Sequence, residues 1–252
     1  MERPPKMRLD AALAARGMFE TRSKALAAVM AGQVLLNGLV ETKAGRAVRP
    51  GDILELAGAK CPYVSRGGLK LKAALDGFGL DVRGKICADI GASTGGFTDC
   101  MLQAGASRVY AVDVGRGQLD SRLARDPRVV FMGDCNARFL PPDAFPEKPV
   151  FAAIDVSFIS LRLVLPPVLA ALARPAQAAA LIKPQFELSR REAPGGIVRS
   201  DELRRKAADG LRNFFAAEIA GKHNARDGGI IPSPIKGVHG NTEFLWLLSL
   251  AG

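Results

Sequence analysis

The run Asp89-Ile-Gly-Ala-Ser-Thr-Gly-Gly-Phe-Thr-Asp99 narrows the folds open to this chain more than any other stretch. Before it stands a short apolar run, Ile86 to Ile90, with the length of a buried parallel strand. After it, Phe97 to Gly105 has the length and closing glycine of a helix. A strand, a glycine-rich turn and a helix in that order turn bare backbone N–H groups toward a ligand. Gly91, Gly95 and Gly96 allow close approach, because a Cβ there would clash or forbid the turn.

The next apolar run, Arg108 to Val112, ends in Asp113, 22 residues after Gly91. In doubly wound α/β sheets an acid at that point accepts hydrogen bonds from ribose hydroxyls. The spacing Gly91-x-x-x-Gly95-Gly96 departs from the Gly-x-Gly-x-x-Gly of nicotinamide enzymes. It resembles the Asp/Glu-x-Gly-x-x-x-Gly pattern of S-adenosylmethionine (SAM) methyltransferases, with Asp89 as the leading acid. That resemblance implies SAM as cofactor, near Asp89, Gly91, Ser93, Gly95, Gly96 and Asp113. Val129 to Met132 reads as the following strand, and the polar residues after it, Asp134 and Asn136, are candidates for adenine.

The 252 residues suffice for one large α/β domain and a small appendage. A formal net charge of +10 favours a polyanionic partner. The excess is spread along the chain: residues 1–60 hold ten Lys/Arg against six Asp/Glu, and the remainder 25 against 19. Cys61, Cys87, Cys100 and Cys135 form no Cys-x-x-Cys pair, so no metal site is expected, and Cys87 and Cys100 read as core. No signal peptide follows Met1, and the apolar region from Leu161 to Ile182 is interrupted by Arg162, Pro166, Pro167, Arg174 and Pro175. A cytoplasmic protein without a membrane partner is the expectation.

Residues 7–56 read as a self-contained module. Arg8 to Arg16 has helical periodicity and ends at Gly17; Thr21 can cap a second helix, Arg22 to Ala31, closed by Gly32. Gln33-Val-Leu-Leu36, Asn37-Gly38 and Leu39-Val40 spell a hairpin, and Val48-Arg-Pro-Gly-Asp52 a turn before Ile53 to Leu56. The order of these pieces resembles the RNA-binding domain shared by a small-subunit ribosomal protein, pseudouridine synthases and tyrosyl-tRNA synthetases. By that resemblance Arg8, Arg22, Lys24, Lys43, Arg46 and Arg49 would face RNA phosphates, and Arg66, in the segment that follows, joins them as a candidate. The expected division is an RNA-binding domain over residues 1–58, a linker over 59–65 and a catalytic domain over 66–252.

Ser65-Arg-Gly-Gly-Leu-Lys-Leu71 enters a helix running to about Leu75. Lys70 and Lys72 on it point in different directions, and the residues alone leave open which faces a site. Pro149 to Ile154 reads as the fourth strand, ending in Asp155-Val-Ser-Phe158. Val156-Ser157 stands where enzymes that methylate exocyclic base nitrogens carry two prolines, which argues against that class. Ala179 to Ile182 reads as the fifth strand, with Lys183 at its rim, and Glu243 precedes a last strand, Phe244 to Leu250. His223 and His239 read as loop residues without a role.

Ser65-Arg-Gly-Gly-Leu-Lys-Leu, the Asp89 turn, Asp113-Val-Gly-Arg-Gly-Gln-Leu, Asp155-Val-Ser-Phe-Ile-Ser-Leu, Lys183-Pro-Gln-Phe-Glu and Gly240-Asn-Thr-Glu together resemble the TlyA (haemolysin A) family over nearly the whole chain. The resemblance implies a Rossmann-like SAM-dependent methyltransferase sheet of the FtsJ-like kind (fold class α/β) behind a small N-terminal α+β RNA-binding domain. It implies 2′-O-methylation of cytidines in ribosomal RNA, of the large subunit and as a second candidate the small, in a subunit or the whole ribosome. It also implies a Lys-Asp-Lys-Glu tetrad, here Lys70, Asp155, Lys183 and Glu243, and so selects Lys70 over Lys72. The rival readings are a secreted cytolysin, which needs a membrane-active segment, and a non-catalytic RNA-binding factor, which needs no tetrad.

Overall fold

The computed structural model describes residues 7–30, 32–56, 61–237 and 240–252. The chain divides into two compact units, Met1–Cys61 and Pro62–Gly252.

In the first unit, β1 (Met7–Arg8) leads directly into α1 (Leu9–Ala15), followed by α2 (Arg22–Met30). Strands β2 (Val34–Leu36), β3 (Leu39–Val40), β4 (Ala47–Val48) and β5 (Leu54–Leu56) complete it. Asn37 and Gly38, both at positive φ (53° and 81°), make the two-residue turn between β2 and β3, with Leu36 opposite Leu39. β2 is flanked by β3 and β5, while β1 pairs with β4. Leu9, Leu13, Ala25, Val29, Val34 and Val48 fill a core of the size expected for so short a module. The Thr21 hydroxyl accepts from the Lys24 N–H, as expected for the cap; the expected last residue of α2, Ala31, lies outside the described residues.

The second unit is built on a seven-stranded sheet. Its elements are α3 (Gly67–Gly77), β6 (Ile86–Ile90), α4 (Gly96–Gln103), β7 (Arg108–Val112), α5 (Ser121–Ala124), β8 (Val129–Met132) and β9 (Phe151–Ile154). They continue with α6 (Leu161–Ala171), β10 (Ala176–Ile182), α7 (Pro184–Glu187), α8 (Asp201–Phe214), a π-helical stretch Phe215–Ala220, α9 (Gly221–His223), β11 (Ala225–Pro232) and β12 (Phe244–Leu250). The strand order is β11-β12-β10-β9-β6-β7-β8; β10, β9, β6, β7 and β8 are mutually parallel, and β12 is antiparallel to both its neighbours.

Alternation along the strands divides the core. Ala88, Ile90, Tyr110, Ile154, Ala180 and Trp246 pack on the face covered by α6 and α8. Cys87, Val109, Phe151, Ala179, Leu181 and Leu245 pack with Leu71 of α3 and Met101 of α4 on the other. Both faces are covered, which is why the strands read as continuous apolar runs.

One local expectation, that His223 lies in a loop, needs correction, and two other features are not evident from the sequence. α6 runs through Pro166 and Pro167, because Leu165, Val168 and Leu169 are wholly buried on either side and their packing outweighs the lost backbone bonds. His223 belongs to a helical turn ended by Asn224 at φ 48°, while His239 lies outside the described residues. The Gly228–Gly229 pair is a bulge inside β11, a strand its glycines conceal in the sequence. Among the described residues no helix is long and apolar enough to cross a membrane, and no group of acids, histidines and cysteines could hold a metal ion.

Candidate active site

β6 lies between β7 and β9: the chain runs from β6 outward through β7 to β8, then returns to place β9 on the other side of β6, and the crevice at such a reversal is where ligands bind in open α/β sheets. Gly91 sits at the end of β6 with φ 88°, and its N–H donates to the carbonyl of Val112. Gly95, at φ 93°, is the N-cap of α4. Gly96 is in close contact with the start of α3 and the segment before it, since a Cβ there would collide with Ser65 Oγ and stand 3.0 Å from the Gly68 nitrogen. That segment is also tied to α4: the Val64 N–H donates to Asp99 (2.8 Å), and the Gln103 amide to the Pro62 carbonyl (2.8 Å).

Two carboxylates shape the turn. Asp89 is wholly buried; its Oδ2 accepts from the Thr98 N–H (2.8 Å) and hydroxyl (2.6 Å), pinning the first turn of α4, while Oδ1 has no partner. Burial pushes its carboxyl up to about 7, against the two Thr98 bonds, with help from the nearby charges of Asp155 and Asp113. Asp113, half-buried past β7, accepts from the N–H groups of Ser93 (2.8 Å) and Gly115 (2.7 Å). It therefore links the glycine turn to the next loop and keeps lone pairs for further donors. Ser93 is exposed at φ 49°. Asp134, paired with exposed Arg116, and Asn136, whose Oδ1 accepts from Arg138 N–H (3.0 Å), follow the end of β8.

The lysines and acids of the expected tetrad come together on this rim. Lys70 Nζ stands 2.6 Å from Glu243 Oε2, with side chains 11% and 2% exposed. Lys183 Nζ stands 2.5 Å from Asp155 Oδ1, with side chains 10% and 20% exposed. The latter is an ion pair rather than an aligned hydrogen bond, and the Lys183 hydrogen bond goes to Ser157 Oγ (2.8 Å). Ile182 is opposite Phe244, so one further step along the antiparallel register brings Lys183 beside Glu243. The two ion pairs are thereby neighbours, although their members come from four separate segments. Lys72 points elsewhere, to exposed Asp76.

Gly237 makes room for this arrangement, because a Cβ there would collide with the Glu243 carboxylate. Three participants escaped the sequence reading. Ser157, two residues past Asp155, accepts from Lys183. Phe158, at φ 63° and 91% exposed, stands next to Phe186, with ring centroids 5.3 Å apart. Glu187 closes the Lys183-Pro-Gln-Phe-Glu stretch; its Oε2 accepts from the Ser160 hydroxyl (2.6 Å) and its Oε1 from the Leu161 N–H (2.8 Å). Burial raises the Glu187 carboxyl above its usual range, opposed by those two bonds. The left-handed backbone of Phe158 leaves no signature in the sequence, since a non-glycine residue in that region cannot be read from composition.

In the first unit Arg8 and Arg22 both donate to buried Asp10, at 3.1 Å and 3.0 Å, and these hydrogen bonds hold the Asp10 carboxyl down at about 2. Lys24 pairs with Glu20 and Arg46 with Glu41 (3.7 Å); Lys43 and Arg49 are exposed. Arg66 is exposed just before α3.

The FtsJ-like methyltransferase family model matches residues 63–250, and the S4 domain model residues 7–54. The 16S/23S rRNA (cytidine-2′-O)-methyltransferase TlyA of Mycobacterium tuberculosis is 40% identical over 96% of this chain and 90% of its own length. Hemolysin A of Brachyspira hyodysenteriae is 42% identical over 95% and 98%. A solved structure labelled a hemolysin, from Streptococcus thermophilus, is 47% identical and superposes with a TM-score of 0.76 over 98% of this chain and 89% of that one. With its S4 domain ahead of the catalytic sheet, the chain belongs to the FtsJ-like methyltransferases, in the TlyA and hemolysin A group.

Proposed function

We infer that this chain transfers the methyl group of S-adenosylmethionine to the ribose 2′-hydroxyl of a cytidine in ribosomal RNA, with 23S RNA as first substrate and 16S RNA as second. The observation that carries the reading is the meeting of Lys70–Glu243 with Lys183–Asp155 at the mouth of the β6–β9 crevice. The activity in the name of the M. tuberculosis relative supports it.

The residues present fit an adenosine-type cofactor. Positive φ at Gly91 and Gly95 keeps the turn free of side chains, and Asp113 retains acceptor capacity for ribose hydroxyls. Bound there, SAM supplies an electrophilic methyl group. The substrate hydroxyl is a weak acid that must shed its proton during attack, so charge develops on its oxygen. Lys183 is assigned to that oxygen, because a partly buried ammonium stabilises such charge strongly. Asp155 and Ser157 hold the ammonium in place, and Lys70 with Glu243 orients the ribose. Exposed Phe158 offers a face on which an unstacked base can rest. In the first unit Arg8, Arg22, Lys24, Lys43, Arg46 and Arg49 are assigned to RNA phosphates, joined by Arg66.

The test is a map of 2′-O-methylcytidine in ribosomal RNA after incubation of each isolated subunit, the assembled ribosome and free RNA with the protein and SAM. New methyl groups on cytidine ribose are expected. Methyl transfer to none of these substrates overturns the reading.

A further inference from the structure

α6 begins immediately after the loop that carries Asp155, Ser157 and Phe158, so the orientation of its first turn sets the orientation of that loop. Within the helix, Pro166 and Pro167 lack the N–H groups that would bond the carbonyls of Arg162 and Leu163. The first turn is therefore tied to the rest of its own helix by fewer bonds than usual. It is held instead from outside. Glu187, on the segment that begins with Lys183, accepts from both the Ser160 hydroxyl and the Leu161 N–H. Ser160 Oγ in turn accepts from the Arg162 N–H at 3.1 Å, passing the hold into the weakened turn. The same two segments meet twice more, through Lys183 and Ser157 and through Phe158 and Phe186.

We propose that Glu187 is a positioning residue for methyl transfer, clamping the loop of Asp155, Ser157 and Phe158 against the segment of Lys183 through Ser160 and Leu161. Glu187 acts through these partners and touches neither substrate nor cofactor. A carboxylate suits the task, since its two oxygens accept from a hydroxyl and an amide at once, whereas a glutamine has a single acceptor oxygen. The inference rests on the methyltransferase reading above.

The test compares wild type with Glu187→Gln, Glu187→Ala, Ser160→Ala and the Glu187→Ala/Ser160→Ala pair, using the full chain and whichever substrate the wild type methylates. Each variant is assayed for kcat at saturating substrate and for SAM affinity by calorimetry. For Glu187→Ala we expect kcat to fall about tenfold or more, with SAM affinity kept within about twofold. The paired variant should lose less than the product of the two single losses, because the Ser160–Glu187 hydrogen bond is shared by both substitutions. If Glu187→Ala fails to fold, Glu187→Gln and Ser160→Ala carry the comparison, each with a partial loss of kcat. Unchanged kcat, a fall in kcat matched by loss of SAM affinity, or independent multiplying effects in the paired variant would each overturn the proposal. A wild type that methylates no RNA defeats the functional reading instead, so the two failures are distinguishable.

Discussion

A β-carbon on Gly91 would stand 3.0 Å from the carbonyl carbon of Asp155, and closer still to its oxygen. The glycine turn and the acid that pairs with Lys183 are thus in direct backbone contact, and neither can shift alone. Gly91→Ala is expected to cost roughly 1–2 kcal/mol from its positive φ alone, with the collision adding to it. It should also slow methyl transfer by at least about tenfold by displacing Asp155. Thermal unfolding and single-turnover kinetics check the two effects separately.

Lys183→Ala is expected to abolish methyl transfer while leaving SAM affinity within about threefold, because the ammonium paired with Asp155 is assigned to the substrate oxygen and not to the cofactor turn. Radiolabelled methyl transfer and equilibrium SAM binding are the measurements. An active Lys183→Ala enzyme would sink the mechanism.

The Lys70–Glu243 pair is nearly buried, so removing one partner strands a charge. Lys70→Met is expected to destabilise the fold by roughly 3–5 kcal/mol, and Lys70→Met/Glu243→Leu to recover much of that. Activity should stay lost in both. Chemical denaturation beside the methylation assay distinguishes stability from chemistry.

Asp89 gives a pH signature. Burial pushes its folded carboxyl up to about 7, above the ordinary 3.8 of an exposed aspartate, so between those values the native state holds a proton the unfolded chain has released. Stability from this group is greatest at low pH and falls as pH rises through that window. Asp89→Asn removes the titration, and the difference in urea midpoint between variant and wild type should change across pH 4–7 and level off above it. A difference that stays constant with pH would contradict the burial argument.

For RNA binding, Arg22→Ala is expected to weaken affinity about equally for different sequences and to lower the slope of log affinity against log salt by about 1. Filter binding over a salt series reads it.

Much of this was legible without coordinates, for physical reasons that differ by element. The Asn37–Gly38 turn and the Asp89 motif announce themselves because their backbone angles restrict residue choice. Lys183 and Asp155 were visible as polar residues ending apolar strands. The choice of Lys70 over Lys72 was not, since which face of α3 meets β12 is a tertiary matter. α8 was overlooked although Ser200-Asp201-Glu202 is a capping sequence, and the Ser200 hydroxyl does accept from the Leu203 N–H. Pro166 and Pro167 lie inside α6 all the same, because local propensity gives way to packing. Glu187 could not be found at all: its partners lie 26 and 27 residues away, and nothing in the sequence gives that pairing.

The antiparallel course of β12 has a practical corollary. It carries the backbone away from the Lys183 end of β10, so that Leu250 finishes beside Ala176 at the opposite edge of the sheet. A fluorophore placed near Leu250, at the end of the sheet remote from Lys183 and Glu243, would therefore report on the fold without crowding the chemistry.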